Sequence, residues 1–254
     1  MNRFSKLISA QTSREELLPL VHTTDGFYFR DIMDEGLLVP TPCSVFKEPL
    51  LYFFYGRPAY RPIGVVEPTS LNACSLVSFV VDSNSVGRPK RIFPFDSGGL
   101  QGGIYSKFVH PGMKLTNFEL VGTLDNIRKL VTLFFGTNSN YYRGKCLPEV
   151  NFSAMEFEAQ CYYELIRTLA QTKPDDRRGT VEVQFDAAVD FSACKVDAVI
   201  VPEDFLDDQA VVEFICGTLG AMPLKYVCYH ARPVEDVGAI LEVARQFLAD
   251  GGVL

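Results

Sequence analysis

The sequence predicts an α+β fold that forms one domain over residues 1–254. Segments with strand character occur early, in the middle and late in the chain, and helical segments lie between them. They do not follow the regular strand–helix alternation that a doubly wound parallel sheet requires. The sequence contains no internal repeat and no low-complexity segment. We therefore expect strands and helices in an α+β arrangement.

The composition is typical of a soluble globular protein. Hydrophobic residues make up 47% of the chain and charged residues 22%, which favours a folded core over disorder. No apolar run reaches the roughly 18 residues that span a bilayer, so no membrane contact is expected. The net charge of −7 gives no broad electrostatic attraction to nucleic acid.

The cysteines and histidines argue against two further classes of protein. Seven cysteines are scattered along the chain without a C-x-x-C pair, which predicts reduced thiols, no disulfide framework and a cytoplasmic location. Only three histidines are present, so a histidine-rich metal site is not expected. We predict no metal cofactor.

A short apolar run, residues 17–21, is followed by three polar residues, His22, Thr23 and Thr24. Short polar side chains at the end of a strand fill a core poorly, so these three are candidates for a functional site. A purely structural histidine is the alternative interpretation of His22. A segment with helical spacing follows and is predicted to end at Gly36.

A second apolar run, residues 50–55, is followed closely by Arg57. Its continuous aromatic character predicts a strand that is buried on both faces. Tyr52 and Tyr55 would point to opposite faces, so one can enter a cleft while the other packs. Our hypothesis is that the two strands lie side by side, and that His22, one of these tyrosines and Arg57 line one cleft.

Residues 91–105 contain four glycines within six residues, next to Asp96 and Ser97. Glycines allow a backbone to approach a ligand closely. The segment has neither the G-K-[ST] of a Walker loop nor a G-x-G-x-x-G after a strand. It is a candidate substrate or cofactor loop, and an ordinary turn is the alternative.

Two helices are predicted in the middle of the chain. Apolar residues between 115 and 135 recur at steps of three or four, which indicates a helix. Ser153 and Glu156 form a capping box that predicts a second helix from Ala154 to Gln171. The apolar stripe of the second helix is assigned to core packing.

The segment 180–186 alternates as a strand with one polar face does. Val181 and Val183 fall on one side, and Glu182 and Gln184 on the other. A polar face of this kind can line a cleft, and a solvent-facing edge is the alternative. The remaining pattern predicts strands over residues 196–201 and 224–229, and helices over residues 202–219 and 234–248.

The order of these motifs resembles the ADP-ribosyltransferase superfamily. The stretch from His22 to Leu37, with its H-T-T, helical segment and G-L, is similar to the opening of DarT-like and poly(ADP-ribose)-polymerase-like enzymes. The run Y-F-F-Y-G-R-P-A-Y, residues 52–60, resembles a DarT-like element. The run R-R-G-T-V-E-V-Q-F-D-A-A-V, residues 177–189, resembles the strand that carries the catalytic glutamate of that family.

The resemblance implies a split mixed or antiparallel sheet with flanking helices, and NAD as the substrate. His22 would bond the adenosine ribose of NAD, with Thr23 or Thr24 nearby. Tyr52 or Tyr55 would stack on nicotinamide. The resemblance also places Tyr60 in the cofactor site.

The resemblance further implies two catalytic residues, Arg57 and Glu182. Arg57 would hold the pyrophosphate or polarise the acceptor, because its planar, permanently charged group suits phosphate. Glu182 would contact the nicotinamide ribose and stabilise an oxocarbenium-like transition state.

Two features depart from the family pattern. The DarT-like element has Met where this chain has Ala59. Asp197 also lies in a predicted strand followed by a proline, so it competes with Glu182 as the late carboxylate. We prefer Glu182, because it lies on a more polar strand face and has the longer side chain.

Three hypotheses follow for the function. The first is an NAD-dependent ADP-ribosyltransferase or NAD glycohydrolase, such as a bacterial toxin or defence effector, with a nucleic acid or protein as acceptor and an antitoxin as a further partner. The second is a non-catalytic module that binds a nucleotide or a partner. The third is a metal-dependent hydrolase or nuclease that uses Asp96 and Glu182.

Overall fold

The computed structural model of the protein describes residues 1–60, 67–167, 177–229 and 232–254. Within these ranges the backbone is a mixture of strands and helices, as expected for an α+β protein. The strands are β1 (Leu20–Asp25), β2 (Leu37–Leu38), β3 (Thr41–Cys43), β4 (Glu48–Tyr55), β5 (Leu76–Val81), β6 (Arg91–Phe93), β7 (Glu182–Phe185), β8 (Val189–Asp190), β9 (Val196–Pro202) and β10 (Met222–Tyr226).

The helices flank the strands on both sides. They are α1 (Arg3–Ser9), α2 (Gly26–Glu35), α3 (Ser97–Gln101), α4 (Leu115–Phe118), α5 (Asp125–Phe134), α6 (Asn138–Tyr142), α7 (Phe157–Arg167), α8 (Gln209–Val212) and α9 (Pro233–Asp250). Among the described residues, no helix is both long enough and apolar enough to cross a membrane.

One open sheet organises the molecule. Its strands follow the order β10-β9-β5-β1-β4-β7-β6, and β3 pairs with β4 beside this row. The pairs are antiparallel except for β9 with β10, which are parallel. The sheet is therefore mixed. β2 and β8 form a separate two-stranded sheet.

Each face of the large sheet has its own hydrophobic core. One core contains Phe53 and Val183 together with residues of α1, α5 and α7. The other contains Val80 and Ile200, which pack against α9. We call this second side of the sheet the α9 face. A strand residue that pairs directly with a residue of this face points to the same face.

The first strand is longer than the apolar run that predicts it. β1 stays paired with β5 from Leu20, opposite Val81, to Asp25, opposite Leu76. His22, Thr23 and Thr24 therefore lie inside the strand and alternate between its faces, instead of following its end. Asp25 then caps α2 by accepting a hydrogen bond from the Tyr28 N–H.

The second half of the chain confirms several predicted elements and corrects others. β7 and α9 lie where the pattern predicts them. The helix predicted between residues 115 and 135 is interrupted, because the Leu120 N–H bonds the Ile92 carbonyl at 2.9 Å and pairs with β6. The helix predicted to start at Ala154 begins at Phe157, and its predicted last residues, 168–171, lie outside the described residues.

Residues 203–218 form three short pieces instead of the single predicted helix. A 3₁₀ turn (Glu203–Asp207), α8 and a π-helix (Glu213–Thr218) follow one another. Asp208 separates the first two, because its side chain accepts a bond from the Ala210 N–H and starts a new helix.

Candidate functional site

Strands β1 and β4 separate after two pairs. Leu20 pairs with Tyr55 and Val21 with Phe54, and the ladder between these strands then ends. At that point the Nδ1 atom of His22 lies 2.8 Å from the Tyr52 carbonyl oxygen. The imidazole thus replaces the backbone donor that a continuous ladder would supply. We call this point the fork.

The hydrogen bond at the fork fixes the tautomer of His22. A carbonyl oxygen only accepts, so Nδ1 carries the proton. Burial lowers the pKa of His22, against the opposing effect of the Tyr52 carbonyl, and this favours the neutral ring. The ring packs on Phe53, with 5.6 Å between ring centroids. His22 therefore has a structural role at the fork, whatever it binds.

The two threonines of β1 lie on opposite faces of the strand. The Thr23 hydroxyl is 2.8 Å from the Ser78 hydroxyl of the neighbouring strand. Ser78 pairs with Thr23 in the ladder, so this contact ties β1 to β5 on the α9 face. Thr24 is buried on the other side.

Tyr52 and Tyr55 have different environments, as their spacing predicts. Tyr52 pairs with Gln184, and its hydroxyl donates to the Cys43 sulfur at 2.8 Å. Tyr55 is fully buried, and its hydroxyl accepts a bond from the Leu18 N–H at 2.9 Å. Tyr55 is thus a core residue and is not placed to stack on a ligand, which leaves Tyr52 as the candidate.

Glu182 is the most unusual acid of the described residues. It is only 2% exposed, and its carboxylate accepts three hydrogen bonds. The Ser97 hydroxyl donates to Oε1 at 2.7 Å, the Ser97 N–H to Oε2 at 3.1 Å, and the Gln184 side-chain amide to Oε1 at 2.6 Å. Burial and the negative charge of Asp96 raise the pKa of Glu182 to about 7, while these donors oppose the rise.

Asp96 connects Glu182 to a cation. Its carboxylate lies 3.0 Å from Arg177, and it also accepts a bond from the Gly98 N–H at 2.9 Å. Among the described residues, Glu182 accepts bonds from Ser97 and Gln184 and has no such ion pair. A carboxyl with a pKa near 7 and no paired cation can exist in either protonation state at neutral pH, as general acids and bases require.

Tyr52 and Glu182 share the α9 face. Val21 pairs with Phe54, and Phe54 pairs with Glu182, so these three form one row across the sheet. Tyr52 and Gln184 form the next row. Burial, the bond to Cys43 and the nearby charge of Glu182 raise the pKa of Tyr52 well above its usual value.

His22 and Glu182 point away from each other, which corrects the hypothesis of one shared cleft. His22 pairs with Phe79, a member of the core on the opposite face. β4 also lies between β1 and β7, which adds two strand spacings, roughly 10 Å, to the separation. Because side chains alternate along each strand, the register of β1, β4 and β7 places His22 and Glu182 on opposite faces of the sheet. His22 can act on the site only through Tyr52.

Arg57 lies two residues beyond the end of β4. It is 7% exposed, and its Nε and Nη1 atoms are buried without a hydrogen-bond partner among the described residues. Burial raises the pKa of Tyr141 to about 12, and the positive charge of Arg57 opposes that rise, so the two side chains are neighbours. The Tyr141 hydroxyl accepts a bond from the Val181 N–H at 3.0 Å, next to Glu182 in the chain, but these two nitrogens of Arg57 make no bond to the Glu182 carboxylate.

Tyr60 and Asp197 also lie apart from Glu182. The Tyr60 hydroxyl donates to Asp25 at 3.2 Å, at the end of β1. Asp197 pairs with Lys195 at 2.6 Å on β9, and three strands lie between β9 and β7. Of the two competing late acids, Glu182 is the one beside Tyr52.

The sequence places Asp96 and Ser97 beside the glycines of a candidate substrate or cofactor loop, and Asp96 also in the metal-dependent hypothesis. It does not connect either residue with Glu182 as the structure does. The D-S-G-G run was the available signal, but nothing local to it indicates that Ser97 meets Glu182. Among the described residues, no group of three or more His, Cys, Asp or Glu side chains is arranged to hold a metal ion.

A surface cavity of about 430 Å³ lies elsewhere in the molecule, and its lining includes Arg14, Asn138 and Leu254. None of the sequence-predicted site residues lines it. Glu182 itself is covered by Ser97, so the cluster is closed in this structure. No protein-family model and no curated protein matches the chain.

Proposed function

We propose that the protein is an NAD-dependent ADP-ribosyltransferase in which Glu182 is the catalytic carboxylate and Tyr52 its partner at the nicotinamide. The observation that carries this proposal is their position. Both lie on the α9 face, in adjacent rows next to the fork where β1 and β4 separate. A fork in a sheet offers an opening for an extended ligand between two strands.

The chemistry of Glu182 suits cleavage of a glycosidic bond. In the proposed step the bond between the ribose C1′ atom and the nicotinamide nitrogen breaks, and neutral nicotinamide leaves with the electron pair. The ribose carries developing positive charge, which a nearby carboxylate stabilises. An acceptor nucleophile then bonds C1′ and releases its proton. No cation pairs with Glu182 among the described residues, so in its ionised form the carboxylate is available to the ribose.

The other predicted residues receive narrower roles. His22 positions the main chain of Tyr52 through its 2.8 Å hydrogen bond. Thr23 lies on the α9 face and can contact a ligand that enters the fork. Tyr60 is assigned no contact with the reacting ribose, because it bonds Asp25 at the end of β1. Arg57 is assigned none, because its Nε and Nη1 atoms make no bond to Glu182 among the described residues. The acceptor class, nucleic acid, protein or water, is left to experiment.

The test is cleavage of NAD labelled separately in nicotinamide and in adenine, with the protein alone and with DNA, RNA or protein added. We expect nicotinamide release, with the adenine label on the acceptor or in free ADP-ribose. Glu182→Gln keeps the shape of the side chain and should slow release about 100-fold or more. Asp197→Asn is the matched control and should stay within about twofold of wild type, because Asp197 is not in the site.

Two results would refute the proposal. One is wild-type protein that neither binds nor cleaves NAD with any of these acceptors. The other is equal activity of Glu182→Gln and wild type.

A second candidate function is a non-catalytic module that binds a nucleotide or partner. The observation that favours it is the 2% exposure of Glu182, whose three hydrogen bonds resemble those of a structural carboxylate. This function predicts that NAD or another nucleotide binds without being cleaved, and that Glu182→Gln retains binding. The same two variants therefore distinguish both functions.

A further inference from the structure

The glycine-rich stretch of residues 96–103, which we call the cover segment, has one end on Glu182 and the other in solvent. Asp96 and Ser97 are buried, at 8% and 1% exposure. Residues 101–103 are exposed, as is the following Ile104 at 70%. The segment therefore resembles neither a core turn nor a free loop. Its inner end closes the cluster around Glu182.

Ser97 occupies both oxygens of Glu182. Its hydroxyl donates to Oε1 and its N–H to Oε2, at 2.7 and 3.1 Å. Each carboxylate oxygen can accept a second hydrogen bond, so the number of acceptor sites does not exclude a ligand. Glu182 is only 2% exposed, however, and Ser97 lies against both of its oxygens. Access of a ligand to this carboxylate therefore requires Ser97 to move.

Two contacts hold the cover segment in place. The Asp96 carboxylate pairs with Arg177 at 3.0 Å, and the Asp96 N–H donates to the Arg177 carbonyl at 3.1 Å. The backbone at Gly99 lies directly on the Tyr105 ring, so that a Cβ atom there would come within 2.4 Å of the ring. Only glycine permits this approach without a shift of the segment.

The glycine content of the cover segment gives its backbone the conformational freedom to move. Four of its eight residues are glycines, and Gly103 has a φ of +74°, in the left-handed region. α3, which forms its middle, is one of the shortest helices among the described residues, with five residues. A helix this short is unstable without tertiary contacts, so loss of the Asp96 and Ser97 contacts would release it.

We propose that the cover segment is a movable cover that closes the Glu182 site by self-contact and opens to admit ligand. In the closed state, Ser97 supplies two of the three hydrogen bonds that the buried carboxylate accepts, and Gln184 supplies the third. In the open state, ligand hydroxyls replace the Ser97 donors. This inference concerns access to Glu182 and does not depend on the reaction that the site performs.

The first experiment staples the cover segment closed. In Asp96→Cys/Arg177→Cys, the two positions are neighbours through a main-chain hydrogen bond and an ion pair, so a disulfide can join them. A water-soluble carbodiimide with an amine labels accessible carboxyls, and peptide mass spectrometry reads labelling at Glu182. We expect labelling in the oxidised form to fall at least tenfold below that of the reduced form. The exposed Glu35 in the same sample serves as the internal control.

The second experiment opens the segment. In Gly99→Ala the added Cβ atom meets Tyr105, so the segment must shift and labelling of Glu182 should rise about tenfold. Gly87→Ala is the matched control, because nothing lies within 4 Å of a Cβ atom there. Equal labelling of Glu182 in oxidised and reduced staple, or no increase in Gly99→Ala, would overturn the proposal.

Both readouts are independent of NAD, so failure here and failure of the proposed function can be told apart. If NAD is also the ligand, the oxidised staple should lose NAD binding and dithiothreitol should restore it. Equal NAD binding in the two forms, together with lower Glu182 labelling in the oxidised form, would support the cover and would show that NAD does not bind at Glu182, which refutes the proposed function instead.

Discussion

Glu182 and Asp197 are acids on two late strands of the same sheet, yet their surroundings are opposite. Glu182 is 2% exposed and is bonded by neutral donors from Ser97 and Gln184. Asp197 has a side chain 25% exposed and pairs with Lys195 at 2.6 Å. The buried environment of Glu182 disfavours a charged carboxylate. The partly exposed environment of Asp197 stabilises one through Lys195 and water.

The difference shows what raises the pKa of an acid in this fold. Glu182 loses contact with water and lies near the negative charge of Asp96, and both effects raise its pKa towards 7. An exposed ion pair such as that of Asp197 contributes little in either direction. Position under a covering segment, and not residue type or strand location, separates the two acids.

The largest effect that we expect on stability is a pH dependence due to Glu182. Its pKa is about 7 in the folded protein, against an ordinary value of 4.5. The folded state thus holds the proton more tightly, so the associated stability is present below pH 4.5 and is lost as the pH rises through 7. The change is about 3 kcal/mol in the free energy of unfolding. It is measured as the difference between wild type and Glu182→Gln in urea at several pH values.

The comparison with Glu182→Gln is needed because His22 changes the free energy of unfolding with pH in the opposite direction. Burial lowers the pKa of His22, so its contribution is lost as the pH falls below about 6.5. Both proteins contain His22, and its contribution cancels. Asp197→Asn retains Glu182 and should show the same difference from Glu182→Gln. If the difference in the free energy of unfolding between wild type and Glu182→Gln stays constant between pH 4 and 8, the pKa of Glu182 is not raised in the folded protein.

A smaller effect is expected for Gln184→Leu. Gln184 is fully buried, and its amide donates to Glu182 at 2.6 Å. Leucine fills the space but leaves the carboxylate with one donor fewer, which should lower the free energy of unfolding by about 1–3 kcal/mol. The measurement is urea unfolding at pH 8, where Glu182 is ionised.

Gln246→Leu is the matched control for that experiment. Gln246 donates to Asp250 at 2.7 Å, but both are exposed on α9. Its loss should change the free energy of unfolding by less than about 0.5 kcal/mol. Equal effects of the two substitutions would show that burial does not strengthen the bond to Glu182.

The smallest effect is expected for Asp197→Asn. Removal of a partly exposed ion pair should cost no more than about 1 kcal/mol, and the cost should shrink in high salt. Urea unfolding with and without 1 M sodium chloride tests this, because the Debye length at that concentration is only about 3 Å. If Asp197→Asn lowers the free energy of unfolding by more than Gln184→Leu does, the contacts of Asp197 matter more for stability than the bond between Gln184 and Glu182.

The sequence predicts β4, β7 and β9 and the polar face of the site, because those depend on local periodicity. The alternation around Glu182 places Glu182 and Gln184 together, and the spacing of Tyr52 and Tyr55 places them on opposite faces. Both are found. The final helix is also predicted by its apolar spacing.

Contacts between distant segments could not be predicted from local patterns. The fork depends on where β1 and β4 stop pairing, and the register there places His22 on the face opposite Glu182. The break in the helix after Phe118 depends on Leu120 meeting Ile92. The contact between Ser97 and Glu182 likewise exists only in the folded sheet. The polar side chain of Ser97 alone therefore does not predict which residue it bonds.

The two ends of the large sheet bear on how copies of the protein behave at high concentration. An edge strand presents unpaired backbone groups on which another chain can add as a new strand. β10 carries Pro223, which has no N–H to offer, and β6 at the other end has only three residues. Short and proline-containing edges, as these two are among the described residues, discourage another chain from adding to the sheet, so we expect little growth of the sheet from molecule to molecule.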